Sequence, residues 1–364
     1  MIQSELVCKP LRTLEELKLI RSDVDSLIAH QAQPTCFLCS AWLIEWCQDY
    51  LQQTDSIWCI AFYDVDKLVG IAPFYLKSHG KLMGKELCFI GQGEPEESEV
   101  ASEYPDVAVL KEYRPSCLSL LSNLLASQQD IKRLTLNRVL PSSSLFEWLK
   151  GLPDSWHLEQ QRGGYRFVIS IECSLESQLT KIKQSTLRRQ FRNWNKRLPD
   201  VQIIHHRSKS DIEGAITQLS QLHNGVWQAR GHEGVFSHPV FLQFHKNMIQ
   251  HLQEDKRLCL FSVKLDSTVV AIFYGWTFNG TLFYYQSGIA RMSKGAGALM
   301  HLCAMNYARD AGLQYYDLMQ GQLGSYKNNF SEPQESMFNL SARRGVPVFF
   351  MYLSQFVRRF RSQK

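Results

Sequence analysis

The chain has no apolar run approaching the roughly 20 residues that a membrane-spanning helix needs. Its first residues lack the basic region and apolar core of a secretory signal, so we expect a cytoplasmic protein. An excess of one charge is also missing, because 40 lysines and arginines oppose 35 aspartates and glutamates. The resulting net charge of +5 suits a small anionic ligand and does not by itself indicate nucleic-acid binding.

Signatures of metal sites and of nucleotide-binding loops are missing as well. Cys36 and Cys39 have the spacing of half a zinc site, but no second Cys or His pair follows at a suitable distance. We therefore expect no metal, and we expect the ten scattered cysteines to be mostly buried free thiols. No Gly-Lys-Ser/Thr triplet occurs, which excludes a Walker loop.

What the chain does contain is a pattern that occurs twice. Residues 56–75 and 258–276 each consist of a strand, a polar turn and a second strand, and each follows a helical block. Turn-rich segments between residues 150 and 164 separate the two halves. We therefore predict an α+β fold of two tandem domains, residues 1–155 and 156–364, each a mixed, mostly antiparallel sheet flanked by helices.

Apolar residues recur every three or four positions between Leu175 and Leu198, which predicts one long amphipathic helix. Its opposite side is basic. Such a face is usually solvated, although an anionic acceptor or a tRNA would also use it. The aromatic residues that a single-strand binder interleaves with its charges are missing, so nucleic acid is not the expected partner. The basic residues are Lys181, Lys183, Arg188, Arg189, Arg192, Lys196 and Arg197.

Residues 291–297 carry the strongest chemical signal, because small residues occupy the junction between a predicted strand and a predicted helix. Small residues stabilise a first helical turn poorly, but they leave its N–H groups accessible, and the helix dipole attracts an anion such as a pyrophosphate. The preceding strands are linked by hairpins, which excludes a Rossmann unit and favours CoA. Close helix–sheet packing is the alternative explanation. The predicted cofactor-binding residues here are Arg291, Ser293, Lys294, Gly295, Ala296 and Gly297.

Several segments of the second half resemble the Gcn5-related N-acetyltransferase (GNAT) superfamily. They are similar to its CelD-like branch, associated with cellulose and exopolysaccharide biosynthesis, which in turn resembles the FemAB peptidoglycan aminoacyltransferases. The resemblance implies two tandem GNAT-like domains, the first a degenerate copy, with acetyl-CoA or another acyl-CoA as co-substrate. Met292 departs from the usual Gln or Arg of the loop, which leaves the acyl group open. The segments are 187–194, 222–236, 295–300, 315–321 and 325–330.

The resemblance also implies roles for residues beside the loop. Lys327 would stabilise the oxyanion and Tyr326 would protonate the leaving thiolate, unless they are a surface lysine and a packing tyrosine. Asp317, on the preceding strand, joins them in the predicted catalytic set. Gly288 would mark the strand opening that receives the acyl group, unless it is a plain bulge glycine.

A polar and aromatic cluster at residues 223–233 is the predicted acceptor site. Arg230 is expected to pair with a carboxylate or phosphate, and either His223 or Glu233 to take the acceptor's proton. Trp227 and His232 are expected to contact the acceptor. A helix-end histidine and a capping carboxylate would explain the same residues without chemistry.

The expected reaction is direct attack by an amine or hydroxyl of a sugar or polysaccharide precursor on an acyl thioester, in exopolysaccharide or cell-envelope biosynthesis. One alternative is a FemAB-like aminoacyltransferase that uses aminoacyl-tRNA. Another is a non-catalytic accessory protein of a polysaccharide synthase. Residues 346–361 are apolar and end basic, so they either complete the second domain or attach the protein peripherally to the inner membrane near such a synthase.

Overall fold

The computed structural model describes residues 6–348. They form two units, the first containing residues up to 94, residues 100–163 and the segment that begins at 337, and the second containing residues 95–99 and 164–336. The chain divides at residue 163, whereas the sequence predicted a boundary at 155. Residues from 337 onward group with the first unit, whereas the sequence predicted them in the second domain. The basic end of the tail, beyond residue 348, lies outside the described residues.

Both units contain strands and helices. The strands are β1 Leu6–Leu11, β2 Ser56–Asp64, β3 Lys67–Ser78, β4 Lys85–Phe89, β5 Ala108–Val109, β6 Ile131–Val139, β7 His157–Ser170, β8 Val201–His205, β9 Leu258–Leu265, β10 Thr268–Phe278, β11 Thr281–Ile289, β12 Tyr315–Gly321 and β13 Glu335–Arg343. The α-helices are α1 Leu14–Leu19, α2 Arg21–Ala29, α3 Ser40–Tyr50, α4 Gly80–Met83, α5 Arg114–Ser127, α6 Ser144–Lys150, α7 Leu175–Lys181, α8 Ser185–Lys196, α9 Lys209–Gln228, α10 Pro239–Glu254 and α11 Ala296–Asp310.

The same strand order occurs in each unit. In the first unit, β1 to β4 pair antiparallel in succession, α5 follows, and β6 returns parallel to β4. In the second unit, β8 to β11 pair antiparallel, α11 follows, and β12 returns parallel to β11. Beyond the parallel pair lies an antiparallel strand in both cases, β13 beside β6 and β7 beside β12. This repetition confirms the predicted tandem α+β fold with mixed, mostly antiparallel sheets.

The helix predicted from Leu175 to Leu198 is wrong in one respect, because α7 and α8 are separate helices. Between them, the N–H groups of Lys183 and Gln184 donate to the carbonyls of Phe330 and Asn329. These bonds to a distant segment replace the local helical bonds, so the chain leaves the helix and resumes it at Ser185.

Helices cover both faces of the second unit's strands. On one face, Phe273 packs in a core with Leu187 and Phe191 of α8 and with Leu299 of α11. On the other face, His245 of α10 bonds to the hydroxyl groups of Tyr274 and Tyr285, at 3.1 and 2.8 Å. None of the helices within residues 6–348 combines the length and the low charge that a passage through a bilayer requires.

The parallel pair β11–β12 separates soon after it forms. Only residues 281–283 of β11 pair with residues 315–317 of β12. Beyond Phe283, β11 remains bonded to β10, whereas β12 remains bonded to β7 beyond Asp317. The facing edges of the two strands are therefore unpaired with each other and enclose a wedge-shaped opening.

A bulge in β11 accompanies this separation, because Gly275 of β10 lies opposite Tyr284 and the register shifts next to it. A Cβ atom at Gly275 would lie 2.0 Å from the carbonyl oxygen of Phe283. Only glycine allows this close approach of two backbones.

Replacing Gly275 with alanine should therefore lower the free energy of unfolding by about 2 kcal/mol or more, because backbone must move to accept the methyl group. Gly214 is the matched control, since it lies within α9 and a Cβ there would meet nothing within 4 Å. Gly214→Ala should raise stability by roughly 1 kcal/mol. Urea unfolding followed by circular dichroism measures both; equal effects would contradict the assignment of the bulge.

Candidate active site

A pocket of about 810 Å³ lies in the second unit beside the separated part of β11. We call it the α11 pocket, because the N-terminus of α11 forms one wall; the end of α9 and the turn at Tyr326–Asn329 form others. It brings together many of the residues predicted from the sequence. Those that line it are His223, Trp227, Arg230, Arg291, Ser293, Gly295, Gly297 and Tyr326.

The first turn of α11 offers unoccupied backbone donors to this pocket. Gly295 precedes the helix in the left-handed conformation, with φ of 80°, which favours glycine. Within residues 6–348, the N–H groups of Gly297 and Ala298 have no hydrogen-bond acceptor, as expected for the start of a helix. A Cβ atom at Gly297 would meet nothing within 4 Å. The donors, the open space and the helix dipole together fit an anionic group such as the pyrophosphate of CoA.

The corresponding helix of the first unit differs at this point. α5 also connects two parallel strands, but its second residue is Pro115, which has no N–H group. One of the donors that α11 offers is therefore missing from α5.

A chain of hydroxyl groups runs along the pocket. The Tyr326 hydroxyl bonds to that of Tyr284, which lies 2.7 Å from Ser287 Oγ. Tyr326 is 46% exposed as a residue, whereas burial around its hydroxyl group, followed by the proximity of Tyr284, raises the pKa of Tyr326 well above its usual range. Tyr326 therefore keeps its proton at neutral pH.

Lys327 spans the opening between the separated strands. Its Nζ donates to the carbonyl oxygen of Gln320 on β12, at 2.5 Å, and lies 6.0 Å from the ring centroid of Tyr284 on β11. Its side chain does not line the pocket itself. The positive charge is thus held on β12 near the place where the strands part.

His223 lies at the pocket wall but has its ring nitrogens engaged. The Trp227 indole N–H donates to His223 Nε2 at 3.1 Å, while Nδ1 lies 3.4 Å from Asn224 Oδ1. Burial lowers the pKa of His223. Because the indole already occupies the lone pair of Nε2, His223 orients Trp227 rather than serving as an available proton acceptor.

His301 is a pocket residue that sequence reasoning missed. It follows Gly297 by one turn of α11, is 4% exposed, and is packed against the rings of Tyr284, Tyr326 and Phe330. Its Nδ1 lies 2.8 Å from the hydroxyl of Tyr316. Burial, with a smaller effect from nearby Lys327, lowers the pKa of His301 to about 3, so the ring is neutral at physiological pH.

The structure places Asp317 and Gly288 away from the pocket lining. Asp317 is fully buried; one oxygen forms an ion pair with Arg166, at 2.8 Å, and the other accepts from the Met319 N–H, at 2.7 Å. A carboxylate engaged in this way stabilises β12 and β7 and does not contact the pocket. A Cβ at Gly288 would lie 2.7 Å from Leu222 Cβ, so this glycine allows α9 to pack on β11.

Four other predicted residues also lie outside the lining. Ala296 is 1% exposed and belongs to the core of the second unit. Lys294, His232 and Glu233 are exposed on loops and do not face the pocket. His232 only contacts the edge of Trp227, with ring centroids 6.1 Å apart. Glu233 is therefore not positioned as the general base.

Comparisons with known proteins agree with the fold. Residues 183–328 match the family described as an acetyltransferase (GNAT) domain, a segment that holds the first turn of α11, His301 and Lys327. The fold is GNAT-like. No curated protein sequence is significantly similar to the chain. The GNAT match does not distinguish the CelD-like branch, which stays a prediction.

Solved structures of very different sequence share the fold over nearly their whole length. FemX is 14% identical, with a TM-score of 0.60, over 92% of this chain and 96% of FemX. A conserved protein of unknown function from Bacteroides thetaiotaomicron VPI-5482 is 13% identical, with a TM-score of 0.57, over 94% and 100%. The C-terminal domain of a putative lysylphosphatidylglycerol synthetase from Agrobacterium fabrum is 12% identical, with a TM-score of 0.52, over 95% and 97%. Identities this low show the fold alone.

Metal ligands do not gather anywhere in the described part of the GNAT-like chain, where no three His, Cys, Asp or Glu side chains are grouped to hold an ion. The ten cysteines are free, and Cys173 is exposed.

Two buried histidines of the second unit should make its stability sensitive to acid. Burial lowers the pKa of His245 and of His301 to about 3, from an ordinary value of 6.5. Between these values the unfolded chain binds protons that the folded chain does not, so stability is complete above the ordinary value and falls as the pH drops.

Each histidine should therefore lower the free energy of unfolding by roughly 2 kcal/mol between about pH 7.5 and about pH 5. Chemical denaturation at the two pH values measures the difference for the native chain and for His301→Gln. In His301→Gln, the decrease in the free energy of unfolding that the two histidines cause should be about half as large. An unchanged pH dependence would contradict a buried, neutral His301.

Proposed function

We propose that the second unit transfers an acyl group from acyl-CoA to an amine or hydroxyl of a sugar or polysaccharide precursor. The observation that carries this proposal is the pair of open N–H groups on Gly297 and Ala298, at the positive end of α11. They face a pocket that continues along the unpaired edge of β11. Arg291 also lines this pocket and adds a positive charge for the phosphates of the donor.

Lys327 and Tyr326 have separate roles in the proposed reaction. The acceptor nitrogen or oxygen forms a bond to the carbonyl carbon, and the bond from that carbon to the CoA sulfur breaks. Lys327 stabilises the negative charge that develops on the carbonyl oxygen, and Tyr326 gives its proton to the leaving sulfur. The proton that the acceptor releases restores Tyr326. The bond between Tyr326 and Tyr284 holds the acid in place.

The pocket residues around Trp227, where we place the acceptor, are suited to bind a polyhydroxylated molecule. Trp227 is 39% exposed and offers an apolar ring face, with Arg230 5.5 Å from its centroid. Gln190, Gln286 and Asn329 also line the pocket, and each amide both donates and accepts hydrogen bonds, as sugar hydroxyls require. The CelD-like resemblance supports a polysaccharide precursor, and on that resemblance alone we extend the proposal to association with a membrane polysaccharide synthase.

Aminoacyl-tRNA is the second candidate donor, and the basic helix α8 next to the pocket is the feature that favours it. Several of its cations already have local partners, which weakens the case. Arg188 donates to the carbonyls of Ile182 and Lys183, Arg192 pairs with Glu176, and Arg197 lies over the ring of Trp194. Binding that falls steeply with salt, and falls further when Arg189 is reversed to Glu, would favour tRNA.

The first test measures CoA and acetyl-CoA binding by calorimetry for Gly297→Glu. A side chain fits there, but its carboxylate would occupy the anion site, so affinity should fall at least about 100-fold, comparable to losing a charged contact. Gly214→Glu is the matched control, because it adds the same charge at an open glycine of α9 outside the pocket. Equal affinities in the native chain and in Gly297→Glu would refute CoA binding at this helix.

The second test separates catalysis from binding. Lys327→Met and Tyr326→Phe should each lower kcat by about 100-fold or more while leaving acyl-CoA affinity nearly unchanged, because they act on charge and proton transfer. Lys181→Met, a surface lysine paired with Glu172, should have no effect. If CoA binds but the native chain transfers no acyl group, the chain is a non-catalytic accessory protein instead. If both variants keep the native turnover, Lys327 and Tyr326 have no part in the reaction.

A further inference from the structure

His301 is a polar side chain enclosed by rings that nevertheless reaches a ligand-sized pocket. Its position on α11, one turn after Gly297, directs it to the same pocket as the open N–H groups. Within residues 6–348, no protein group is hydrogen-bonded to its Nε2, whereas Nδ1 is bonded to Tyr316. The nitrogen available to a ligand is therefore Nε2.

Tyr316 determines which nitrogen of the ring carries the proton. Tyr316 is fully buried, and in the described part of the chain its hydroxyl is hydrogen-bonded to His301 Nδ1, at 2.8 Å. If Nδ1 carried the proton, the Tyr316 O–H would be a buried donor with no acceptor, at a cost of roughly 1–3 kcal/mol. Tyr316 therefore donates to Nδ1, and the proton of the neutral ring is on Nε2.

The surroundings keep the ring in this neutral form. Tyr284, Tyr326 and Phe330 pack around it and leave it 4% exposed, and the ammonium of Lys327 disfavours a second positive charge nearby. A neutral histidine whose other nitrogen is occupied is a fixed hydrogen-bond donor, which is the group that a developing oxyanion requires.

We propose that the Nε2–H of His301 donates a hydrogen bond to the carbonyl oxygen of the acyl donor, with Tyr316 as its positioning residue. This inference rests on the proposed acyl transfer. As the acceptor atom bonds to the carbonyl carbon, the oxygen gains negative charge, which His301 shares with Lys327. When the bond from carbon to sulfur breaks, the sulfur takes the Tyr326 proton and the acceptor's released proton restores Tyr326, while His301 keeps its own proton throughout.

Nitrogen-15 NMR of the histidine rings tests the proton position without any substrate. The resonances of His301, identified by their loss in His301→Gln, should show protonated Nε2 and unprotonated Nδ1 at neutral pH. Tyr316→Phe should change this distribution, because the donor that holds Nδ1 is gone. A ring protonated on Nδ1, or an unchanged spectrum in Tyr316→Phe, would overturn the proposal whatever the reaction proves to be.

Steady-state kinetics with acyl-CoA tests the role itself. His301→Leu should lower kcat by about 100-fold to 1,000-fold with little change in KM, as for removal of one oxyanion donor. His301→Gln retains an N–H group and should lose less, which separates a missing hydrogen bond from a folding defect. Full activity in folded His301→Leu would overturn the proposal and leave acyl transfer intact. Failure of the native chain to bind any CoA would refute the proposed function but not the NMR result.

Discussion

The opening beside the α11 pocket depends on how briefly β11 and β12 pair. Three residues of parallel pairing bring the strands together, and the separation that follows leaves backbone edges and side chains facing a common opening. The bulge near Gly275 helps to turn β11, while the buried pair of Arg166 and Asp317 secures β12 to β7. If the strands stayed paired, Lys327 could not span from Gln320 to the ring of Tyr284, and the α11 pocket would close.

The start of α11 is the second requirement, and it is where the two units differ. Both units return to a parallel strand through a helix, so the architecture is shared. Gly297 keeps its N–H and leaves space, whereas Pro115 has no N–H to offer. The two helix starts therefore differ in the number of backbone donors that they present.

Local patterns in the sequence were sufficient to predict the hairpins, the tandem α+β plan and a helix that begins with small residues at α11. Features that depend on distant partners were not predictable. The break between α7 and α8 arises from carbonyls of Asn329 and Phe330, and Asp317 is engaged by Arg166, which lies 151 residues away. His301 was missed because its position in α11 follows the spacing of core residues, and only the structure shows that this stretch borders a pocket.

The position of β13 has a consequence for how the chain is made. This strand pairs with β6 of the first unit, although the whole second unit separates the two in the sequence. Residues 164–336 are therefore synthesised before the first unit receives the strand that covers the edge of β6. Until then β6 presents unpaired N–H and C=O groups, and such an edge readily pairs with the wrong segment. The first unit thus begins synthesis first but cannot complete its folding until the second has been translated.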